Sequence, residues 1–570
     1  ITIAAVDGGA TATYKVVQGE NAHVIRTADK FVSFLEEVAK SEGSNDFRLG
    51  ADIDLSGVKL PEVESMIYTF DGQGHSIKNW TGSAPLFKSI AASGAVRNLV
   101  IDASCKLTMP GGIEKFGFVA GENAGTIENV TNNAAVTVAA VSKGWKGAVC
   151  GENTGTLSNC TNTGSFSYNG AAHVDGSLYL GGVAGRSTGE GSKAENCSNS
   201  GSITLSFNEA LSQSIYAAGV TGAANSGAKT LSCSNTGAVT VRVPSISTNG
   251  QSAGIVCYSG GEITDCTNSG NISFFSESAE GKADGSVKGV GVAGIACYSG
   301  WTDGKTSGCK NSGAVTLRAG YTLAQQTVGS ATKYSSNVAG IVGHAYKCSI
   351  ENCENSGTVR SEFRNIDNAE SVYNTTARQS VGGIVSSTWG NVVGCTNTGA
   401  VDVIWVTAAH NATLAKNWVG QVGGISGGDY HSDQQSSSII DCTNEGAVTI
   451  VCDSSQSNNA FGGIVGWPGK ENASGLNEVN GCINRGALTL DGYSKSRIGG
   501  ISGGATKATG CKNYGKVYLK SGLTNCSVGG IIGFQNFFNV STCENYGDIA
   551  SDCIQSATIF SPFISRSFSR

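Results

Sequence analysis

The chain has 570 residues, a net charge of −6, 81 glycines and only 6 prolines, and 14% of its residues are charged. A nucleic-acid-binding protein should carry a basic face, and a membrane span needs roughly 18 consecutive apolar residues. The sequence shows neither, so we expect no nucleic acid partner and no direct membrane insertion. Because 39% of the residues are hydrophobic and recur at fixed spacing, the composition predicts many short strands joined by tight turns.

The N-terminal region has two predicted parts. Residues 1–22 alternate weakly between apolar and polar positions, and we interpret them as a remnant or linker of an upstream domain. A helix is predicted over about residues 28–41, because Thr27 is placed to cap its N-terminus and Gly43 to end it. Its apolar face would contain Phe31, Leu35 and Val38. Such a helix would cover the open end of a stack of strands.

From about residue 116 the chain repeats one short unit. The first half is an apolar strand flanked by glycines, such as Gly-Gly-Ile-Val-Gly at residues 462–466. The second half is Cys-x-Asn-x-Gly followed by an alternating strand, such as Cys-Lys-Asn-Ser-Gly-Ala-Val at residues 309–315. The cysteines of this motif are Cys160, Cys197, Cys233, Cys266, Cys309, Cys353, Cys395, Cys442, Cys482, Cys511 and Cys543. A degenerate first copy has Val130 in their place, and the length differences between copies predict stacked coils with variable loops on their flanks.

The alternation of the second half predicts which side chains face inward. Cys309, Asn311 and Val315 are separated by even numbers of residues, so they point the same way, and the valine identifies that side as the interior. Stacked coils lie about 4.8 Å apart, so the interior asparagines should form a ladder of amide hydrogen bonds. We also expect this asparagine and the glycine after it to supply the turn conformation at a corner of the coil.

The 19 cysteines are interpreted mainly as small buried apolar residues with free thiols. A zinc site needs four convergent ligands, whereas a column of stacked cysteines offers parallel thiols, and the same parallel arrangement is poor for disulfides. Occasional disulfides between neighbouring coils stay possible on this interpretation. We therefore predict no metal site and no cofactor.

The glycine-flanked strand followed by Cys-x-Asn-x-Gly resembles the GLUG-motif repeat, and residues 49–57 and 70–79 resemble the segment that commonly precedes such repeats. The resemblance covers roughly residues 47–550. GLUG-like repeats occur in secreted bacterial surface and adhesin-like proteins and as an accessory region of metallopeptidases that cleave immunoglobulin A. The resemblance therefore implies a secreted or cell-surface bacterial protein. The His-Glu-x-x-His motif of those peptidases is absent from this sequence, so their activity does not carry over.

No catalytic residue is predicted. Asp265 and Asp441 both precede a motif cysteine, but four coils would place them about 19 Å apart, too far for a pair of catalytic carboxyls. The six histidines form no pair or triad in the sequence. A group of polar residues in the first coils is interpreted as turn chemistry, and it comprises Asp52, Asp54, Asp71 and His75.

Aromatic residues recur in the turn after the glycine-flanked strand over the C-terminal half of the repeats. If the register is constant, they line one edge of the stack, where they could stack on sugar rings or contact a protein. The alternative is that they pack against long loops such as residues 318–337 and 402–420. The predicted ligand-binding residues are Tyr258, Tyr298, Trp301, Tyr346, Trp389, Tyr430 and Trp467, with Phe534 at the equivalent place in a later coil.

The sequence thus predicts an all-β protein, a parallel β-helix or β-solenoid of about twelve coils with right-handed winding and a small N-terminal helical cap. Its predicted segments are a remnant at 1–22, the cap and irregular first coils at 23–115, GLUG-like repeats at 116–550 and a tail at 551–570. We expect a non-catalytic secreted or cell-surface adhesion protein that contacts a glycan or a host extracellular protein. Two alternatives stay open: a polysaccharide lyase or glycoside hydrolase, and a structural stalk.

Overall fold

The fold is seen in a computed structural model of the chain. The described residues are 2–4, 11–13, 23–40, 46–171, 175–225, 227–244, 246, 248–276, 289–300, 304–319, 335–364, 377–406, 418–428, 437–452, 459–467, 478–492, 496–504, 506–520, 526–534, 540–552 and 559–561.

Each coil contributes one short strand to each of five parallel sheets, which we call faces 1 to 5 in their order along a coil. One complete coil consists of Val290–Ala293, Ala296–Gly300, Lys305–Ser307, Lys310–Asn311 and Val315–Ala319. Each of these strands pairs in parallel with the equivalent strands of the coils before and after it. The predicted parallel β-solenoid is confirmed.

The five faces differ in where they begin and end. Within the described residues, faces 1 to 5 have 13, 12, 16, 15 and 14 strands. The first and last strands are Lys115–Phe116 and Ile559–Ser561 on face 1, Ser65–Met66 and Val465–Trp467 on face 2, and Val24–Ile25 and Val540–Ser541 on face 3. They are Ile53–Asp54 and Glu544–Asn545 on face 4, and Thr81–Gly82 and Ile549–Ser551 on face 5. A separate antiparallel pair joins Thr2–Ala4 to Thr11–Thr13.

The predicted N-terminal helix is present as α1, Ala28–Ala39. The Thr27 side chain caps it by accepting a hydrogen bond from the backbone N–H of Lys30 at 3.3 Å. Its buried face contains the three predicted residues and also Phe34, whose ring stacks on Phe70 of the first coils at 4.8 Å. The helix therefore covers the apolar interior of the first coils, while the predicted stop at Gly43 lies outside the described residues.

The predicted asparagine ladder occupies face 4. Asn311 Nδ2 donates to Asn355 Oδ1 at 2.8 Å and to the carbonyl oxygen of Gly313 at 2.9 Å, and this pattern runs unbroken from Asn132 to Asn545. Three earlier coils have isoleucine at this register position, namely Ile53, Ile77 and Ile101. The twelve coils predicted from the repeats are thus the coils that carry the ladder.

The prediction that the ladder asparagine forms the corner is wrong. The residue with a left-handed backbone is the one before the motif cysteine, as at Asp265 and Asp441, where φ is 53° and 52°. Asparagine, aspartate and glycine predominate there because they adopt this conformation at the lowest cost. The ladder asparagine is in a strand instead, since its amide must reach the coils on both sides.

The cysteines are core residues, as predicted. Every described cysteine is a free thiol, and all are buried except the partly buried Cys543. Cys309 is typical: its Sγ lies 3.4 Å from the carbonyl oxygen of Ser307 and 3.8 Å from that of Ile263 in the preceding coil. The thiols fill the interior beside the ladder and make weak hydrogen bonds to backbone carbonyls.

We expect Asn355→Ala to lower the free energy of unfolding by about 1–3 kcal/mol, because it removes three buried hydrogen bonds and interrupts the ladder on both sides. The measurement is the midpoint of chemical denaturation followed by circular dichroism. The control is Ser356→Ala, which changes the exposed residue that directly follows the strand of Asn355. Equal midpoints for the two variants would contradict a stabilising role for the ladder.

Candidate functional site: the seam between faces 1 and 2

The outer surfaces of faces 1 and 2 meet along a seam that follows the length of the stack. At Gly466 on face 2, a Cβ atom would lie 2.6 Å from the backbone nitrogen of Val422 on face 1 of the preceding coil. At Gly185 the corresponding distance to the backbone nitrogen of Lys146 is 2.1 Å. No side chain fits at such a distance, so glycine is required wherever the seam is closed.

Two columns of residues form the seam, and both change composition in the middle of the stack. The face 1 column is Gly147, Gly181, Ala218, Ala253, Ala293, Ala339, Gly382, Gly423, Gly462 and Gly499. The face 2 column is Gly151, Gly185, Gly222, Cys257, Cys297, Gly343, Ser386, Gly427, Gly466 and Gly503. The seam therefore has mainly larger side chains in its middle coils, with Gly343 as the exception between Cys297 and Ser386, and glycine towards both ends.

A cleft of about 320 Å³ lies at this widened section. Its face 2 wall contains Tyr258, Tyr298 and His344, which are consecutive partners in the strand register. The opposite wall and its rim contribute Tyr216, Asn249, Gln251 and Asn337. The volume falls in the range of small-ligand sites, and the lining combines aromatic rings with amide groups.

The predicted aromatic residues lie in two rows rather than one. Tyr258 and Tyr298 stack at 4.8 Å with an angle of 8° between their planes, and Trp467 lies further along the same register column. The second row is two residues further along the chain than the first. Tyr346 ends its face 2 strand, Trp389 directly follows the next one, and their ring centroids are 4.6 Å apart. Trp301 and Tyr430 lie outside the described residues.

A tyrosine pair on the other wall was not predicted. Tyr179 and Tyr216 on face 1 stack at 4.4 Å with an angle of only 3° between their planes. The signal was the alternation Leu-Tyr-Leu at 178–180 and Ile-Tyr-Ala at 215–217, which places each tyrosine opposite inward apolar residues. The sequence prediction followed only the turn after the glycine-flanked strand and therefore missed the strand before it.

The stacking determines what the tyrosines present to the cleft. In each pair the rings cover one face of each other, so each ring has only its other face, its edge and its hydroxyl group left for contacts with a ligand. Burial, with the neighbouring phenols, raises the pKa of Tyr258 and Tyr298 above the ordinary value. Both phenols are therefore neutral at physiological pH and can donate hydrogen bonds.

Cys257 and Cys297 occupy the floor of the widened seam. The Sγ atom of Cys297 lies 3.1 Å from the carbonyl oxygen of Ser252, and that of Cys257 lies 3.2 Å from the carbonyl oxygen of Ala217. Opposite Cys297 the wall has Gly291, where a Cβ atom would come within 3.2 Å of the cysteine Cβ. Burial, with the adjacent thiol, raises the pKa of Cys257 well above its usual value, so it acts as a spacer rather than a nucleophile.

Ionic and cation–π contacts fill the seam on either side of the cleft. Lys115 Nζ lies 2.6 Å from carboxylate oxygens of both Glu122 and Glu152, and Arg186 pairs with Glu152 while it stacks on Trp145 at 3.6 Å. Burial opposes ionisation of Glu152, yet these two cations hold the pKa of its carboxyl below the usual range. Glu152 is thus a paired carboxylate at neutral pH and is unsuited to act as a general acid.

Towards the C-terminal end, Arg497 lies between two aromatic rings. Its guanidinium is 4.6 Å from the Trp467 ring centroid and 3.9 Å from that of Phe534. Phe534 is buried, and the cation covers part of Trp467. Trp467, one of the predicted ligand-binding residues, therefore has an arginine stacked on its ring.

The polar group of the first coils has the geometry of turns. Asp54 Oδ1 and Asp71 Oδ1 each accept the backbone N–H of the residue two positions later, at 2.9 Å. Asp52 contacts Lys78 at 2.6 Å and His75 at 3.3 Å. The bond to Lys78, with a backbone N–H and His75, lowers the pKa of Asp52 to about 2.

Two classes of feature are absent from the part of the chain that the structure describes. No cluster of three or more His, Cys, Asp or Glu side chains there is arranged to hold a metal ion. Likewise, none of the helices in these residues has the length and apolar character needed to cross a membrane.

Comparison with known protein families supports the assignment of the repeats to the GLUG motif. Residues 334–360 match the family model described as the GLUG motif, which confirms the resemblance seen in the sequence. The matched stretch includes His344 of the cleft and Asn355 of the ladder. The chain is thus a parallel β-solenoid that carries a GLUG motif.

Two solved structures have low sequence identity and low structural similarity to this chain. One is an IgA1 protease, with 14% identity and a TM-score of 0.33, and the match covers 60% of this chain and 22% of that one. The other is a candidate immunoglobulin A1 protease from Bacteroides ovatus, with 14% identity and a TM-score of 0.20, over 78% of this chain and 82% of that one. This chain spans about a fifth of the first of these proteins. No curated protein matches the sequence.

We expect Gly466→Ala to destabilise the fold by about 1–3 kcal/mol, because the new Cβ would overlap backbone atoms of the closed seam. The matched control is Gly191→Ala, since nothing lies within 4 Å of a Cβ built at that residue. Thermal unfolding of both variants measures the difference. A Gly466→Ala protein as stable as the control would show that faces 1 and 2 do not pack this closely.

The Asp52–Lys78 contact predicts a dependence of stability on pH. The folded pKa of Asp52, about 2, lies below the unfolded value of about 3.9, so its contribution is complete above pH 4 and is lost as pH falls towards 2. We expect Asp52→Asn to lower the urea midpoint slightly at pH 7, because the pair is exposed, and the gap from the parent to close between pH 4 and pH 2. A gap that is constant across this range would contradict the assignment.

Proposed function

We propose that this chain is a non-catalytic, extracellular binding protein of the bacterial surface or adhesin type. Its ligand, a glycan or a host extracellular protein, lies in the widened seam between faces 1 and 2. The observation that carries the proposal is the cleft itself, where tyrosines on two facing walls accompany amide groups. Clefts of this composition are the usual form of a ligand site.

The extracellular assignment is supported by the GLUG motif at residues 334–360, because such repeats are found in secreted bacterial surface proteins. The cleft is formed by side chains of strands that are paired on both sides, which gives a fixed shape for recognition. Tyr346 and Trp389 provide a second aromatic contact beside it on the outer surface.

The non-catalytic assignment is supported by the state of the nearby acidic groups. Glu122 and Glu152 share Lys115, and Glu152 is further neutralised by Arg186. Asp265 and Asp441 are corner residues with a left-handed backbone rather than members of a carboxyl pair. Acid–base hydrolysis of a glycoside requires two suitably spaced carboxyls with different protonation states, and these groups do not offer them.

The test is binding of the purified chain to glycan and extracellular-matrix arrays, followed by titration of each positive ligand. We expect Tyr298→Ala to weaken that binding at least tenfold, because it removes the central ring of the face 2 wall. The control is Tyr546→Ala, which removes a more exposed tyrosine of another stacked pair, located directly after the strands of face 4. Unchanged affinity of the Tyr298 variant for every ligand of the parent would reject the seam as the binding site.

A further inference from the structure

We infer that the widened seam binds an uncharged polysaccharide segment, read by hydrogen bonds from tyrosine hydroxyls and amide side chains. The inference rests on the proposed binding function and goes beyond it in naming the ligand class. It also assigns Cys257 and Cys297 as positioning residues that hold the cleft open.

The described residues that line the cleft include no Asp, Glu, Lys or Arg side chain. The phenols of Tyr258 and Tyr298 are kept protonated by burial. The nearest charged groups on the same columns, Glu152 and Arg186, are engaged with each other. An anionic glycan would enter this section without a cation to pair with its charge, and burying an unpaired charge is unfavourable.

The hydrogen-bonding groups of the cleft are of the kinds that pair with sugar hydroxyls. Tyr hydroxyls both donate and accept, and the amides of Asn249, Gln251 and Asn337 offer a carbonyl oxygen together with two N–H donors. Asn249 Nδ2 lies 3.5 Å from Tyr216 Oη, so two of these groups already converge on one point of the rim. The ring faces are partly covered by stacking, which makes edge-on hydrogen bonding the main mode of contact.

A linear polymer suits the geometry better than a compact ligand does. Larger seam residues occupy four consecutive coils on face 1 and three of the four coils from Cys257 to Ser386 on face 2. Four coils correspond to about 19 Å along the stack. Register places equivalent side chains one above another at about 4.8 Å, so a polymer that runs along the seam meets similar groups at regular intervals.

Cys257 and Cys297 explain why the cleft is open at these coils. Glycine occupies the same column at Gly185 and Gly466, and there the face 1 backbone comes within 2.1 Å and 2.6 Å of a virtual Cβ. A side chain at this position requires the two faces to stand further apart. Replacing both cysteines by glycine should let the seam close and exclude the ligand.

The experiment titrates the full chain with uncharged β-glucan and mannan oligosaccharides and, separately, with polygalacturonate and heparin. We expect binding to an uncharged oligosaccharide that changes little between 50 mM and 500 mM NaCl. Tyr298→Phe retains the ring but loses the hydroxyl, and it should weaken binding about three- to tenfold. Tyr546→Phe is the matched control, directly after the last strand of face 4, and should bind as the parent does.

The cysteine variants test the positioning role. The double variant Cys257→Gly, Cys297→Gly should lose binding at least tenfold while its circular dichroism spectrum stays that of the parent. The double variant Cys257→Ser, Cys297→Ser keeps the side-chain size and should retain binding. Full binding by the glycine variant overturns the role of the cysteines in keeping the cleft open.

The remaining outcomes separate this inference from the proposed function. Preference for polygalacturonate or heparin, or steep loss of affinity with salt, overturns the uncharged ligand class. Binding to a protein alone that still depends on Tyr298 also overturns it, but leaves the binding function in place. If Tyr298→Ala changes binding to no glycan and no protein, both proposals fail.

Discussion

The in-register pairing of successive coils is the constraint on which the rest of the structure depends. Every face repeats the same parallel pairing, and on face 4 the asparagine amides add a second set of hydrogen bonds inside the core. A slip by one residue would turn those amides outward and leave their partners unsatisfied, so the ladder penalises any change of register. Because register is fixed inside, the outer side chains are also aligned, which is why Tyr258 lies over Tyr298 and why the seam is continuous.

Much of the fold could be predicted because the repeated positions obey simple periodicity. Alternation in Cys309, Asn311 and Val315 identified the interior, and the capping residue Thr27 identified the start of α1. The corner could not be assigned in the same way. Asparagine is common both in left-handed turns and in buried ladders, and the motif contains it in both places in several coils, as at Asn352 and Asn355. Only the backbone shows which asparagine bends the chain.

The site was harder to predict than the fold because it is formed between faces rather than along one strand. The turn aromatics of face 2 were visible in the sequence, whereas Tyr179 and Tyr216 belong to face 1 and approach them only when the two outer surfaces fold together. The widening was nevertheless recorded in the sequence. The Gly-Gly pair of the motif is replaced by Ala-Gly at 218–219, 253–254, 293–294 and 339–340. This replacement indicates a wider seam only once the close contact of faces 1 and 2 in the glycine-containing coils is known.

The corner residues carry a consequence for how such a stack grows. The Asp265 carboxylate lies beside the corner of the following coil, where a Cβ atom on Gly308 would be 2.2 Å from its Oδ1 atom. Asp441 has the same contact with Gly481. Asn352 is likewise followed by Gly394. An acidic or amide corner here is therefore paired with a glycine corner in the following coil. Gene duplication that copied a single coil from this region would place two like corners in succession, either two bulky ones or two glycines. Copying two coils at once would preserve the alternation, so lengthening in steps of two coils keeps the corner pattern of this region unchanged.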